Sequence, residues 1–234
     1  MRRLTGKRGW ILAAIVPAYN EKGRVGPVVR ALSKFVDTVI FVDDGSSDGT
    51  FEEVSSLGLR NVVAARLPVN CGKGAALRAG FSIARKLGAN EVATVDSDGQ
   101  HPPSLLPDLL KKLRRTGADI VVGCREFSHG MPVVKRLGNR WICFLARFLF
   151  GIPVSDPLSG FRVFSARAIR NLEWKSSGYS VEIEVLARAR KCKLIVSEMK
   201  IPTIYADKYK GTGVGSGVRI TIDMLKGRVF GWFQ

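Results

Sequence analysis

The chain has 234 residues, 46% of them hydrophobic, and its 37 Lys and Arg against 20 Asp and Glu give a formal net charge of +17. Length and apolar content suit one domain with a full core. The charge exceeds the ~2–8 that keeps a small domain soluble, which implies an anionic partner: nucleic acid, an acidic membrane surface or a phosphorylated substrate. Four scattered cysteines (Cys71, Cys124, Cys143 and Cys192) form no C-x-x-C pair, and with only two histidines they argue against a zinc site. Cys124 and Cys143 lie in apolar context and read as reduced core residues. No stretch has the pattern of a secretory signal, and no apolar run reaches the roughly 18–20 residues of a membrane span. The chain reads as soluble or peripheral.

In chain order, Ile11–Val16 predicts a buried strand that stops at Pro17-Ala18-Tyr19-Asn20-Glu21. Arg24–Phe35 has helical periodicity, with Val25, Val28, Val29 and Leu32 on one face. Thr38–Val42 is a β-branched and aromatic strand ending in Asp43-Asp44-Gly45-Ser46-Ser47-Asp48-Gly49-Thr50, and Thr50–Leu57 predicts a short helix. Asn61–Ala65, Glu91–Val95 and Ala118–Cys124 predict three further strands, separated by helices at Gly74–Leu87 and Leu105–Arg115. This βαβα order argues for a mostly parallel, doubly wound α/β sheet with helices on both faces. No linker, repeat or low-complexity tract divides the chain, so residues 1–234 read as one domain with a variable carboxyl-terminal third. In that third, Val133–Phe150 interleaves Lys135, Arg136, Arg140 and Arg147 with large apolar residues. Such a segment suits a membrane-surface helix or an ordinary core helix equally. Val218–Phe233 repeats the theme around Arg219, Lys226 and Arg228, and the pair tips the reading toward an interface.

The acidic strand tips carry the chemistry. Behind Glu91–Val95 come Asp96, Ser97, Asp98, Gly99, Gln100 and His101. Strand periodicity puts Asp96 and Asp98 on one face. No Lys or Arg stands between them, and a hard divalent cation relieves such repulsion; a solvated acidic turn is the alternative for a lone D-x-D. Three strands ending in acidic tips favour a site, because ligands of open α/β sheets bind at the carboxyl ends of strands. Asn70-Cys71-Gly72-Lys73-Gly74 reads either as a phosphate approach or as a plain helix entry. Gly211–Gly217 reads as a flexible loop able to close over a substrate. Ser155–Arg162 places an acid, a hydroxyl and a cation in one turn, which a turn salt bridge explains equally well. Glu182 and Glu184, two apart, diverge on a helix, so the two do not act together and one of them could reach a site. His101 and His129 are either catalytic or structural.

Taken together, Pro17–Glu21, Val42–Thr50, Asn70–Gly74, Asp96–His101 and Asp156–Arg162 resemble, in order and spacing, the family 2 GT-A glycosyltransferases. The branch similar to dolichyl-phosphate mannose and glucose synthases matches best, over about Ala14 to Tyr205. The resemblance implies a GT-A fold, with 1–124 as the nucleotide-sugar and metal half and 125–234 as the acceptor and membrane-facing half. It implies that Pro17, Tyr19, Glu21 and Asp44 hold base and ribose, that Lys73 lines the nucleotide pocket, and that Asp96, Ser97 and Asp98 meet the donor diphosphate. Asp96 and Asp98, assisted by Gln100, would hold Mg²⁺ or Mn²⁺. Arg125 and Arg136 would face the acceptor phosphate, with Ser159, Gly160, Phe161 and Arg162 in the acceptor-side loop and Lys208 in a later one. That later loop departs from the pattern, since Gly213 and Val214 stand where relatives carry Ser and Lys.

The expectation is therefore a metal-dependent, inverting transfer of a sugar from a UDP- or GDP-linked donor to a polyprenyl (dolichyl-type) phosphate. Asp98 and Arg125 would be catalytic, and the protein would sit peripherally at the cytoplasmic face of a membrane. A lipid, glycan or protein acceptor is the rival, with Asp156 as the base that a hydroxyl needs. A non-catalytic nucleic-acid-binding protein fits the charge but has no use for acidic strand tips.

Overall fold

The computed structural model describes residues 9–125, 133–202 and 214–229, with side chains of 137–202 and 217–228 in the last two stretches. Three strands, β1 (Leu12–Ala18), β2 (Thr38–Asp43) and β4 (Glu91–Thr94), form the middle of a seven-stranded sheet. The strand β3 (Val62–Arg66) closes one edge; β6 (Arg162–Ser165), β5 (Ile120–Arg125) and β7 (Val196–Ile201) extend the other. The order is β3-β2-β1-β4-β6-β5-β7. Every neighbouring pair is parallel except the two made by β6, which runs antiparallel to both β4 and β5.

Alternation along β1 splits the core in two. Leu12, Ala14 and Val16 pack under α1 (Val25–Leu32) and α4 (Leu106–Thr116), with Val54 of α2 (Thr50–Ser55) at the margin. Ala13 and Ile15 pack on the other face under α3 (Lys73–Lys86), α5 (Val133–Phe150), α6 (Ala166–Asn171), α7 (Val181–Lys191) and α8 (Val214–Val229). Gly80 lets α3 press directly on Ile15, where any Cβ would collide with that side chain. At the next residue, the Phe81 ring meets Phe164 and Trp174 edge-on, both at 5.1 Å.

The strands and helices of the amino-terminal half lie within two or three residues of the expected bounds. Four later elements, β6, α6, α7 and β7, were not read from the pattern. Arg162–Ser165 spans four residues and runs straight into α6, with no turn residue to mark it. The expected loop at 211–217 is corrected in part: α8 begins at Val214, so Gly215 and Gly217 are helical, and the rest of that stretch lies outside the described residues. All four cysteines are free; Cys124 is buried and Cys143 half-buried, and burial pushes each thiol up to about 12.

The antiparallel strand matters for the site. Arg162 opens β6 opposite Thr94, at the carboxyl end of β4. The segment 156–161 is thereby delivered to the edge where Asp96 and Asp98 emerge.

Candidate active site

Strand order reverses at β1, whose neighbours are β2 and β4, and this is where doubly wound sheets open a ligand crevice. The tips of β1 and β2 are laced together. The Asn20 amide donates to Ser46 Oγ, the Glu21 amide to Thr50 Oγ1, and the Ser47 amide to Asn20 Oδ1. Asp44 accepts the amides of Cys71 and Gly72, both at 2.8 Å; its pKa is raised, because burial outweighs those two bonds. Tyr19 remains exposed and Pro17 is buried in β1.

At the start of α3 the plain helix entry is the reading that stands. The Gly74 amide donates to Ser177 O, and the Trp174 indole donates to Gly74 O at 2.9 Å. With the amides of 71 and 72 spent on Asp44, that helix end offers no open phosphate cradle.

A buried charge cluster lies beside it. Lys73 Nζ is 2.6 Å from Asp96 Oδ1 and 2.6 Å from Glu182 Oε1. His101 Nε2 is 3.8 Å from Asp96 Oδ2, its ring lies 5.7 Å from that of Phe161, and its Nδ1 finds no partner among the described residues. Arg125, ending β5, donates from Nε to Asp156 Oδ2 at 2.6 Å and from Nη2 to Oδ1 at 3.1 Å. The D-x-D pair is thus not left to repel unaided, as its local sequence suggested: Lys73 arrives from another helix. Burial alone would raise Asp96, but the Lys73 charge holds it below the usual carboxylate range. Asp98 goes the other way, pushed up to about 6 by burial and by the Asp96 charge. Burial lowers His101, against the pull of the Asp96 charge.

Gly160 explains itself here, since a Cβ at that position would overlap the Asp96 carboxylate. The Thr94 hydroxyl fixes the same peptide through Gly160 O at 2.8 Å. Two expected acceptor-side residues need correction. Ser159 donates to Gly123 O at 2.6 Å, and Arg162 donates to the carbonyls of Ser159, Glu182 and Pro157. Both are buried, so they shape the 156–161 loop from within and do not face an acceptor. The Arg136 side chain, His129 and Lys208 lie outside the described residues. Glu182 and Glu184 do diverge: Glu182 meets Lys73, while Glu184 accepts the amides of Lys175 and Ser176 and pairs with Arg188. The Glu182 role had no local signal beyond that divergence.

Among the described residues no three His, Cys, Asp or Glu side chains converge as a metal cage. Asp96 and Asp98 alone are what the β4 tip offers, and two carboxylates suit a hard cation that takes its remaining ligands from a diphosphate. Asp98 is steadied by the Gln100 amide at 3.0 Å, which puts Gln100 in the same turn. The donor set fits such an ion.

Sheet order, crevice and acidic tips define a nucleotide-sugar transferase fold. Residues 13–173 match the sequence profile of Glycosyl transferase family 2, and the chain belongs to that family. It is 34% identical over 239 aligned positions to a UDP-N-acetylglucosamine–dolichyl-phosphate N-acetylglucosaminyltransferase of Methanococcus voltae, covering 92% of this chain and 95% of that one. A polyprenol monophosphomannose synthase of Mycolicibacterium smegmatis is 28% identical, over 91% of this chain and 83% of its own. Among solved structures, the glucosyl-3-phosphoglycerate synthase of Mycobacterium tuberculosis in complex with phosphoglyceric acid superposes with a TM-score of 0.74 at 26% identity, over 94% and 80% of the two chains. The chain is a glycosyltransferase.

Proposed function

We propose that the enzyme moves a sugar, with inversion, from a nucleotide diphosphate sugar to a polyprenyl phosphate. The observation that carries this reading is Arg125, held by Asp156 beside the D-x-D carboxylates at the mouth of the sheet. An acceptor phosphate oxygen would attack the anomeric carbon as its bond to the diphosphate breaks. A phosphate monoester is already ionised near neutral pH and needs no base. That agrees with the cluster: His101 is buried, and both Asp156 oxygens are taken by Arg125, which leaves a hydroxyl acceptor without its base. The Arg125 guanidinium would orient the attacking phosphate. Mg²⁺ or Mn²⁺, held by Asp96 and Asp98 with Gln100 in support, would neutralise charge on the leaving diphosphate. The UDP-linked donor named for the M. voltae relative favours UDP over GDP here. Incubating the protein with UDP- and GDP-sugars, polyprenyl phosphate and Mg²⁺ or Mn²⁺ tests the reading. Lipid-linked sugar should form and EDTA should stop it; transfer only to soluble or protein acceptors would refute it.

We infer that the protein works from a membrane surface, on the cytoplasmic face where free thiols persist. No helix among the described residues is long and apolar enough to cross a membrane. The helices α5 and α8 pack on each other, each with one face in the core and one exposed. Ile142, Leu145 and Ala146 are core, while Leu137, Trp141, Phe144 and Phe148 form an exposed stripe whose Trp141–Phe144 and Phe144–Phe148 rings stack. On α8, Ile220 and Met224 are buried and Val218, Ile222 and Leu225 exposed. Phe148 is 75% exposed, an unusual cost in water. Arg140, Arg147 and Lys226 are exposed on the same two helices, each able to contribute about 1 kcal/mol near an anionic surface. The protein should co-sediment with anionic vesicles at low salt, bind neutral ones much less, and be released by reversing Arg140, Arg147 and Lys226 to Glu. Binding that ignores both changes would return these faces to protein contacts.

A further inference from the structure

Glu182 and Lys73 are members of the charge cluster to which the proposed transfer gives no role. The Glu182 carboxylate is buried at the start of α7, and no described group donates an aligned hydrogen bond to either oxygen. An uncompensated buried carboxylate is costly; the nearby Arg162 guanidinium adds favourable charge, but its three hydrogen bonds go to backbone carbonyls. The direct ion pair of Glu182 is with the Lys73 ammonium, 2.6 Å away, which stands equally close to Asp96. One cation serves two carboxylates, and one of the two is a ligand in the metal reading above.

The surroundings decide which partner can move. Asp96 is wedged against the Gly160 backbone, which admits no Cβ. The peptides flanking Lys73 are pinned, Gly72 by Asp44 and Gly74 by Ser177. Arg125 is already paired in bidentate fashion with Asp156. What stays adjustable is the four-carbon Lys73 side chain, a flexible stem carrying a compact charge.

We propose that Lys73 is an exchangeable counter-charge, neutralising Asp96 until a divalent cation takes that carboxylate, and that Glu182 is the positioning residue that then receives it. The site thereby stays electrostatically matched whether or not the ion is bound. A proposal of this kind rests on the assignment of Asp96 and Asp98 to the metal. It makes the apo enzyme's affinity for the ion a competition between the ion and one lysine.

The test is Mn²⁺ binding to the full chain, without nucleotide, by calorimetry and by the paramagnetic signal of the free ion. Lys73→Met should tighten Mn²⁺ by roughly tenfold, the size of one nearby charge's effect on an ionisation. Glu182→Gln should weaken it several-fold, because Lys73 then rests wholly on Asp96. The double variant Lys73→Met with Glu182→Gln leaves no stranded carboxylate and should keep the tight binding, which covers the case in which Lys73→Met alone fails to fold. Opposite shifts for the two single variants are expected, but a fixed charge gives the same signs. The exchange itself is read from the Lys73 Nζ resonance of the wild-type chain, which should shift on adding Mg²⁺ and shift much less in Glu182→Gln. No such shift, or affinity lost in both variants, overturns the inference. Asp98→Asn separates the two levels. If it abolishes Mn²⁺ binding while the lysine variants leave affinity unchanged, the counter-charge is wrong and the metal site stands. If it leaves Mn²⁺ binding intact, the metal reading fails and takes this inference with it.

Discussion

Asp98→Asn should leave the protein folded and remove most of its transfer activity, with kcat falling about 10²–10³-fold. The change is nearly isosteric at the tip of β4, so packing is preserved. What is lost is a carboxylate that would hold a cation against the departing diphosphate, and deleting one preorganised electrostatic group of this sort costs about 2.7–4 kcal/mol of transition-state stabilisation. The same variant carries a second signature, in EDTA. Burial and the Asp96 charge push Asp98 up to about 6 in the fold, above the usual carboxylate range. A raised carboxylate contributes stability below its unfolded pKa and loses it as pH rises through the folded value. Wild type should therefore lose thermal stability relative to Asp98→Asn between pH 4 and about 6, so the variant gains most at pH 7.5 and nothing extra at pH 4. Turnover near the wild-type level with metal present would sink the D-x-D assignment, whatever the melting curves show.

The alternating half of the fold was legible because its strands are buried on both faces. β1 and β2 read as nearly unbroken apolar runs, β4 buries all four of its residues, and the helices carry clean stripes such as Val25, Val28, Val29 and Leu32. The carboxyl-terminal half was not, since the alternation of the edge strand β7 is broken at Ser197-Glu198 and β6 is too short to show a period. The candidate site divides the same way. Acidic tips are local features, visible wherever a strand pattern stops. Partnership is not: nothing near Asp96 in sequence announces Lys73 or Gly160, and nothing near Gly74 announces that Ser177 takes its amide. The glycine-lysine run at 70–74 has the composition of a phosphate loop, yet its donors are consumed by groups the fold brings from elsewhere. The two amphipathic helices stood undecided between core and surface because each is both.

Arg125→Ala should separate acceptor from donor. In the proposed assignment its guanidinium meets the acceptor phosphate, so nucleotide-sugar affinity should change by less than about threefold while transfer to polyprenyl phosphate falls at least 10²-fold, the scale of a lost positioning contact. The structure adds a complication that the substitution must respect. Arg125 is the charge partner of Asp156, whose side chain is 2% exposed, and removing one member of a buried pair strands the other at a cost of about 3–5 kcal/mol. Arg125→Ala alone will therefore be less stable, and its activity loss would be ambiguous. Combining it with Asp156→Asn removes the stranded charge, restores much of the stability and should not restore transfer. Arg125→Lys sharpens the point: it keeps a cation for Asp156 but loses the planar fork that grips carboxylate and phosphate together. Its fold and donor affinity should stay near wild type while the apparent KM for polyprenyl phosphate rises and kcat drops. If calorimetry and kinetics show donor affinity and transfer falling together in the stabilised variants, Arg125 belongs to the donor side, and some other cation must meet the lipid phosphate.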